Sequence, residues 1–157
     1  MNEPVLTITK RHLPHWTLKG ATYFVTFRVA KGQLNSVEQR IVFDHVLNGD
    51  NHFYRLIACT VMPDHLHLIL RPATDYSLSR VMRGIKGVSA YKINRLSGTR
   101  DDAVWQRESF DRILRDQDEL IEKLNYMLCN PLKQGLVDDP WKYQHWYFEG
   151  AGSGKNA

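Results

Sequence analysis

The stretch Val61-Met62-Pro63-Asp64-His65-Leu66-His67-Leu68-Ile69-Leu70 decides the architecture. Pro63-Asp64 marks a turn, because proline presets the backbone and aspartate caps it locally. His65 to Leu70, which follows the turn, reads as a strand. Phe53 to Val61, which precedes it, is apolar enough to run centrally in a sheet, so the two form an antiparallel hairpin. The strand period of two then separates the side chains. His65 and His67 point to one face, while Leu66, Leu68 and Leu70 point to the other. The leucine face must pack against something apolar, which holds the two imidazoles in place about 7 Å apart at Cα.

Outward from the hairpin, Ala21 to Val29, between Gly20 and Gly32, is dense in β-branched and aromatic residues and reads as a further strand. Ser36 has the character of an N-cap, and Ile41, Val42, His45 and Val46 recur at helical spacing toward Gly49. Ser79 to Leu96 reads as a helix with Val81, Ile85 and Val88 on its buried stripe, weakened by Gly84 and Gly87. A loop from Ser97 to Asp102 leads to Val104-Trp105-Gln106 and Ser109 to Arg115, where pattern assigns no state. Trp105 is expected in the core. Asp118 to Asn130 is a second amphipathic helix, stopped by Pro131 and followed by a turn at Gly135 and a short strand. This order predicts an α+β fold, a ferredoxin-like antiparallel sheet with helices on one face. A single domain over 1–148 is expected, with 149–157, rich in Gly and Ser, as a frayed tail.

Two imidazoles on one strand face can converge on a metal ion, although a bare His-x-His also fits the polar side of a half-buried strand. On the Asp118 helix, Leu120, Ile121, Leu124, Met127 and Leu128 form the apolar stripe. Tyr126 and Asn130, as i and i+4, fall nearly opposite it. The bland reading is a surface tyrosine and a helix-ending asparagine. Beside two histidines, the pair acquires a chemical meaning. A phenol is a poor nucleophile at neutral pH, but it can attack a phosphodiester whose oxygens a metal polarises. An amide oxygen one turn on could complete a neutral, three-ligand site with positions open to substrate oxygens and water.

With 157 residues, 43% apolar and 24% charged, the chain can bury a core and is not a disordered segment. A net charge of +4 leans mildly toward an anionic partner. Cys59 and Cys129 lie in apolar surroundings without CxxC spacing, which predicts free thiols rather than a zinc cluster. Met1-Asn2-Glu3-Pro4 lacks the charged and apolar regions of an export signal, and no apolar run reaches membrane-spanning length. The expectation is a cytoplasmic protein with no membrane partner.

Met62-Pro63-Asp64-His65-Leu66-His67-Leu68 resembles the His-hydrophobic-His ("HUH") motif of single-tyrosine transposases. Trp105 to Asp111, Arg115-Asp116, and Tyr126 followed by Asn130-Pro131-Leu132-Lys133-Gln134-Gly135-Leu136-Val137 resemble the REP-associated tyrosine transposase branch. The opening Gly20 to Phe27 is similar to that branch's first strand, so the resemblance spans roughly residues 16 to 140. It implies a ferredoxin-like fold, a divalent metal (Mg2+ or Mn2+), and cleavage of single-stranded DNA that leaves a 5′-phosphotyrosine and a free 3′-hydroxyl. His65 and His67 would be metal ligands, Tyr126 the nucleophile and Asn130 the third ligand, a position held by Gln in some relatives. The branch acts on imperfect hairpins of repetitive extragenic palindromes; both monomers and homodimers occur among relatives. Imidazole ordinarily favours zinc and magnesium prefers oxygen, but phosphate oxygens and water arriving with substrate reconcile the two.

Arg80, Arg83, Lys86, Lys92 and Arg95 make the Ser79 helix the most basic element, and Arg107, Arg112 and Arg115 form a second cluster beside Trp105 and Phe110. Arg80, Arg83, Lys86, Arg107, Arg112 and Arg115 are the expected DNA contacts, through phosphates and base stacking. Two other classes stay open on the sequence. One is a domesticated module that binds hairpin DNA without mobility, the other a metal-dependent hydrolase in which Tyr126 is incidental. A covalent protein–DNA adduct separates the first reading from both.

Overall fold

The computed structural model describes residues 7–13, 21–99 and 102–150. Gly20 and most of the expected tail, 151–157, fall outside them. The elements run β1 (Thr22–Arg28), α1 (Ser36–Gly49), β2 (Tyr54–Val61), β3 (His65–Pro72), α2 (Leu78–Ser97), β4 (Phe110–Leu114), α3 (Gln117–Lys133) and β5 (Trp146–Phe148). The sheet is antiparallel throughout, in the order β4-β1-β3-β2-β5. The first four positions are those of the ferredoxin-like βαββαβ unit, as expected. β5 adds a strand beside β2.

β3 lies at the centre because both its faces are apolar enough to be covered. Leu66, Leu68 and Leu70 join Val25 and Phe27 of β1 in one core, closed by Val42, Phe43 and Val46 of α1 and Val81, Ile85 and Ile93 of α2. Ile69, Phe24 and Ala58 face the other way, into a second core closed by Leu120, Leu124, Met127 and Leu128 of α3. The expectation of helices on one face therefore holds for α1 and α2 and is corrected for α3. That helix lies outside the βαββαβ unit and covers the histidine face. A sheet whose strands are apolar on both sides requires cover on both.

Three local expectations change. The cap of α1 is Asn35, not Ser36: Asn35 Oδ1 accepts from Glu38 N at 2.8 Å, and Glu38 Oε1 accepts from Asn35 N at 2.9 Å, a reciprocal capping box. On α2 the buried positions are Val81, Ile85, Ser89 and Ile93, while Val88 is 40% exposed. Ser89 is accommodated because its hydroxyl donates to Ile85 O and accepts from Trp105 Nε1 at 3.0 Å, which seats Trp105 in the core as expected. α3 continues through Pro131 to Lys133. A proline so near the end forfeits little of the ladder, and the last turn closes through Gln134 N to Asn130 O and Leu136 N to Pro131 O, with Gly135 left-handed at φ 74°.

Cys59 is buried, Cys129 is partly buried, and both are free. Among the described residues no helix is long and apolar enough to cross a membrane.

His145 precedes β5 and is 2% exposed, packed against the rings of Phe43 and Tyr143. Neither ring nitrogen bonds another described group. Burial, and then the charge of Arg40, pushes its pKa down to about 4. The unfolded chain takes up this proton below its ordinary value near 6.5, whereas the folded chain resists until about 4. The group is thus neutral to stability above pH 6.5 and destabilises the fold as pH drops toward 4. His145→Leu should lose about 1–2 kcal/mol less stability than the parent between pH 7 and pH 5, read from urea midpoints.

Candidate active site

His65 and His67 stand on β3 with ring centroids 4.7 Å apart. Each has its Nδ1 anchored from outside. Asp64 Oδ1 lies 2.7 Å from His65 Nδ1, and Thr26 Oγ1, on the cross-strand neighbour of His67, lies 2.8 Å from His67 Nδ1. Both rings are thereby left to present Nε2 inward. His67 is 3% exposed, and its Nε2 is buried without a hydrogen-bond partner among the described groups. Burial, followed by the charges of His65, Arg28 and Lys123, pushes the His67 pKa down to about 3, which keeps its lone pair available at neutral pH.

α3 brings the other two residues over this pair. Asn130 Nδ2 is 3.2 Å from His65 Nε2. Tyr126 sets its ring edge-on to His67 at 5.3 Å between centroids and packs against Phe24 at 6.3 Å, while staying 48% exposed. The sequence pattern placed both opposite the apolar stripe. Tyr126 does keep an open side, but Asn130 is 7% exposed and turned into the sheet. The correction is geometric: α3 packs with its axis over the histidines, so the flank of the helix next to Met127 is covered as well as the stripe.

These residues fit a divalent cation. Two imidazole nitrogens converge, each with its far nitrogen held by a carboxylate or hydroxyl, the arrangement that orients metal-binding histidines. A half-turn of the Asn130 amide would present its oxygen. Among the described residues no three His, Cys, Asp or Glu side chains gather, so the donor set is the neutral one of two imidazoles and an amide, with room left for oxygens from elsewhere.

The basic residues do not join this cluster. Arg83, Lys86 and Arg107 line a groove with Tyr23 and Asp111, on the α1/α2 side of the sheet. Arg80 is exposed and lies 4.8 Å over the Tyr76 ring. Lys86 is already engaged, donating to Gln106 O at 2.9 Å and Arg107 O at 3.1 Å and lying over Phe27. Arg112 is paired with β1 beside Phe24 and so faces the α3 side, where it bonds Glu119 at 2.9 Å. Arg115 is exposed at the start of α3, with its backbone N–H donating to Glu119. Within the stretch 109–115, unassigned by pattern, Phe110–Leu114 form the edge strand β4, and Phe110 stands 54% exposed beside Phe24 at the rim of the histidine site.

Sequence reasoning missed Thr26, Phe24 and Lys123. Thr26 could have been found once β1 was paired with β3; the other two needed the placement of α3. Lys123 Nζ lies 5.1 Å over the Phe24 ring and 6.0 Å over the Tyr126 ring.

The profile of IS200-like transposases matches residues 34–115, more than half of the chain and a span that includes the histidine pair but not Tyr126, and the chain belongs to that family. Within it the similarity runs to the REP-associated tyrosine transposases. A Haemophilus influenzae protein of that description is 25% identical over 144 residues, covering 82% of this chain and 81% of its own. A solved structure described as a REP-associated tyrosine transposase bound to a REP hairpin matches with a TM-score of 0.64 at 22% identity, over 84% of this chain and 79% of that one. The expected fold is thus shared.

The anchoring of His67 by Thr26 generates a prediction. Thr26→Val, nearly isosteric, should fold normally but weaken Mn2+ binding about 10–100-fold, measured by paramagnetic titration. Unchanged Mn2+ affinity would show that the Thr26 contact does not serve a metal.

Proposed function

We propose that the protein is a metal-dependent transposase that cleaves and rejoins single-stranded hairpin DNA of REP type, with Tyr126 as nucleophile. The observation that carries this reading is the placement of Tyr126 and Asn130 by one helix directly over the His65–His67 pair. His65, His67 and Asn130 would hold Mg2+ or Mn2+. When bound, the ion would polarise the oxygens of the scissile phosphate and draw the phosphorus toward the tyrosine.

The remaining work falls to the chain. The Tyr126 ring, wedged between His67 and Phe24, has one open side from which its hydroxyl can meet a phosphate. Its oxygen bonds to phosphorus as the bond to the 3′ oxygen breaks. The phenolic proton passes to solvent and the departing 3′ oxygen takes one up, leaving a 5′-phosphotyrosine and a free 3′-hydroxyl. Rejoining reverses the step with an incoming 3′-hydroxyl. Because the ester energy is stored in the phosphotyrosine, no nucleotide cofactor is required.

The hairpin reading draws on the relatives and on the surface. Arg83 and Arg107 line the groove on one face, and Arg112 and exposed Phe110 stand on the other, with β4 between them. A hairpin stem in the groove would send its single-stranded flank around the β4 edge to Tyr126. Phosphate contacts supply affinity there, and Phe110 offers a ring on which a base can stack. Arg83→Ala with Arg107→Ala should therefore weaken hairpin binding and flatten its salt dependence without touching the histidine site, as titrated by fluorescence anisotropy.

Two variants separate chemistry from binding. His67→Ala should abolish cleavage and leave hairpin affinity largely intact. Tyr126→Phe should do the same and also remove the covalent adduct, with stability changed by no more than about 0.5 kcal/mol, since only a hydroxyl on a half-exposed ring is lost. The check is a denaturing gel with DNA labelled on the 3′ side of the scissile phosphate and Mn2+ present. An adduct band from the Phe variant equal to the parent's would move the nucleophile elsewhere.

A further inference from the structure

We propose that Lys123 is a further catalytic residue, its ammonium binding a non-bridging oxygen of the scissile phosphate. Three features of its position lead there. Lys123 is partly buried and stands three residues before Tyr126 on α3, so the two side chains emerge on adjoining parts of one helix face. Its Nζ is held over two rings, Phe24 at 5.1 Å and Tyr126 at 6.0 Å, which keeps the charge beside the tyrosine.

The third feature is what does not pair with it. The carboxylate one turn earlier, Glu119, is the ordinary partner for a lysine at this spacing. Both of its oxygens are taken, Oε2 by Arg112 at 2.9 Å and Oε1 by the Arg115 backbone N–H at 2.7 Å. The other acid in that turn, Asp118, lies 3.9 Å from Lys10. Among the described residues Lys123 makes no ion pair. A half-buried cation left without a carboxylate, beside a nucleophile, suits an anion that arrives with substrate.

The chemistry needs such a group. The proposed metal ligands are two neutral imidazoles and an amide, so they add no charge of their own. Phosphoryl transfer spreads negative charge over the non-bridging oxygens, and a fixed ammonium there stabilises the transition state without reorganising. Lys123 would also hold the phosphate in line with the Tyr126 hydroxyl, and it would do so again in the rejoining step.

This inference rests on Tyr126 being the nucleophile, and the test separates the two. In the Tyr126→Phe background, which cannot cleave, hairpin substrates carrying either a phosphate or a neutral methylphosphonate at the scissile position are bound by proteins with Lys123, Lys123→Gln, Lys123→Met or Lys123→Arg. With Lys123 or Arg, the methylphosphonate should weaken binding about 5–20-fold, the size of one charge-assisted contact. With Gln or Met, the two substrates should bind nearly alike. In the Tyr126 protein, Lys123→Gln should slow adduct formation about 100-fold, in the range of a lost oxyanion donor, with Mn2+ binding no weaker and the melting temperature unchanged. Lys123→Met keeps the stem packed over Phe24 if the Gln variant folds poorly. An equal methylphosphonate penalty with and without the lysine, or an undiminished adduct rate in the Gln and Met variants, overturns the assignment. Absence of any adduct from the protein with both Tyr126 and Lys123 intact would instead overturn the transferase reading, and the role of Lys123 with it.

Discussion

The contact between helix α3 and the histidine face of β3 is what the rest of the site depends on. The ferredoxin-like unit, with α1 and α2 on its leucine face, would leave His65 and His67 on an open sheet surface. Leu120, Leu124, Met127 and Leu128 press α3 onto Phe24, Ala58 and Ile69 in the same layer as the histidines. The apolar burial that seats the helix therefore also sets the distance from Tyr126 and Asn130 to the imidazoles. One packing interaction does both jobs. A cavity-forming change in that core, far from any polar group, would loosen the site before it unfolded the domain.

The arrangement explains an otherwise odd concentration of polar atoms in a buried layer. Asp64 and Thr26 each hold the far nitrogen of one imidazole, so the rings have a fixed orientation. Such anchoring satisfies the buried ring nitrogens, as any buried imidazole requires, and it is also the arrangement that orients metal-binding histidines. The proposed metal site gives this anchoring a use. Lys123, left without a carboxylate because Glu119 answers to Arg112 and Arg115, would add the positive charge that such a site lacks.

Much of this was legible in the sequence, and the limits have physical causes. The period of two through His65 to Leu70 told the faces of β3 apart, because a strand with leucines on one side can be oriented only one way. The pairing of His65 and His67 followed. The position of α3 did not, since hydrophobic periodicity reports which stripe of a helix is buried and not which surface it is buried against. Asn130 was for that reason expected on the open side and lies covered. β4 escaped because an edge strand in which Leu114 alone is buried has no alternation to read. Its existence is imposed by the free edge of β1. Pro131 misled for a related reason: proline halts a helix firmly in mid-ladder but weakly in the last turn. Composition picked out the arginine clusters but could not say that Arg83 and Arg107 line a groove across the sheet from the tyrosine while Arg112 lies on the tyrosine's own side.

The central claim is that Tyr126 becomes covalently joined to DNA. The protein can be incubated with a hairpin oligonucleotide and Mn2+, digested with trypsin and nuclease, and mapped by mass spectrometry. Cleavage after Lys123 and Lys133 releases the peptide 124–133, in which Tyr126 is the one tyrosine. A nucleotide-sized mass addition on that peptide, localised to Tyr126 by fragmentation and lost in the His67→Ala protein, is the predicted result. The same addition on a peptide carrying another residue, or hairpin cleavage with no covalent addition anywhere, would contradict the account.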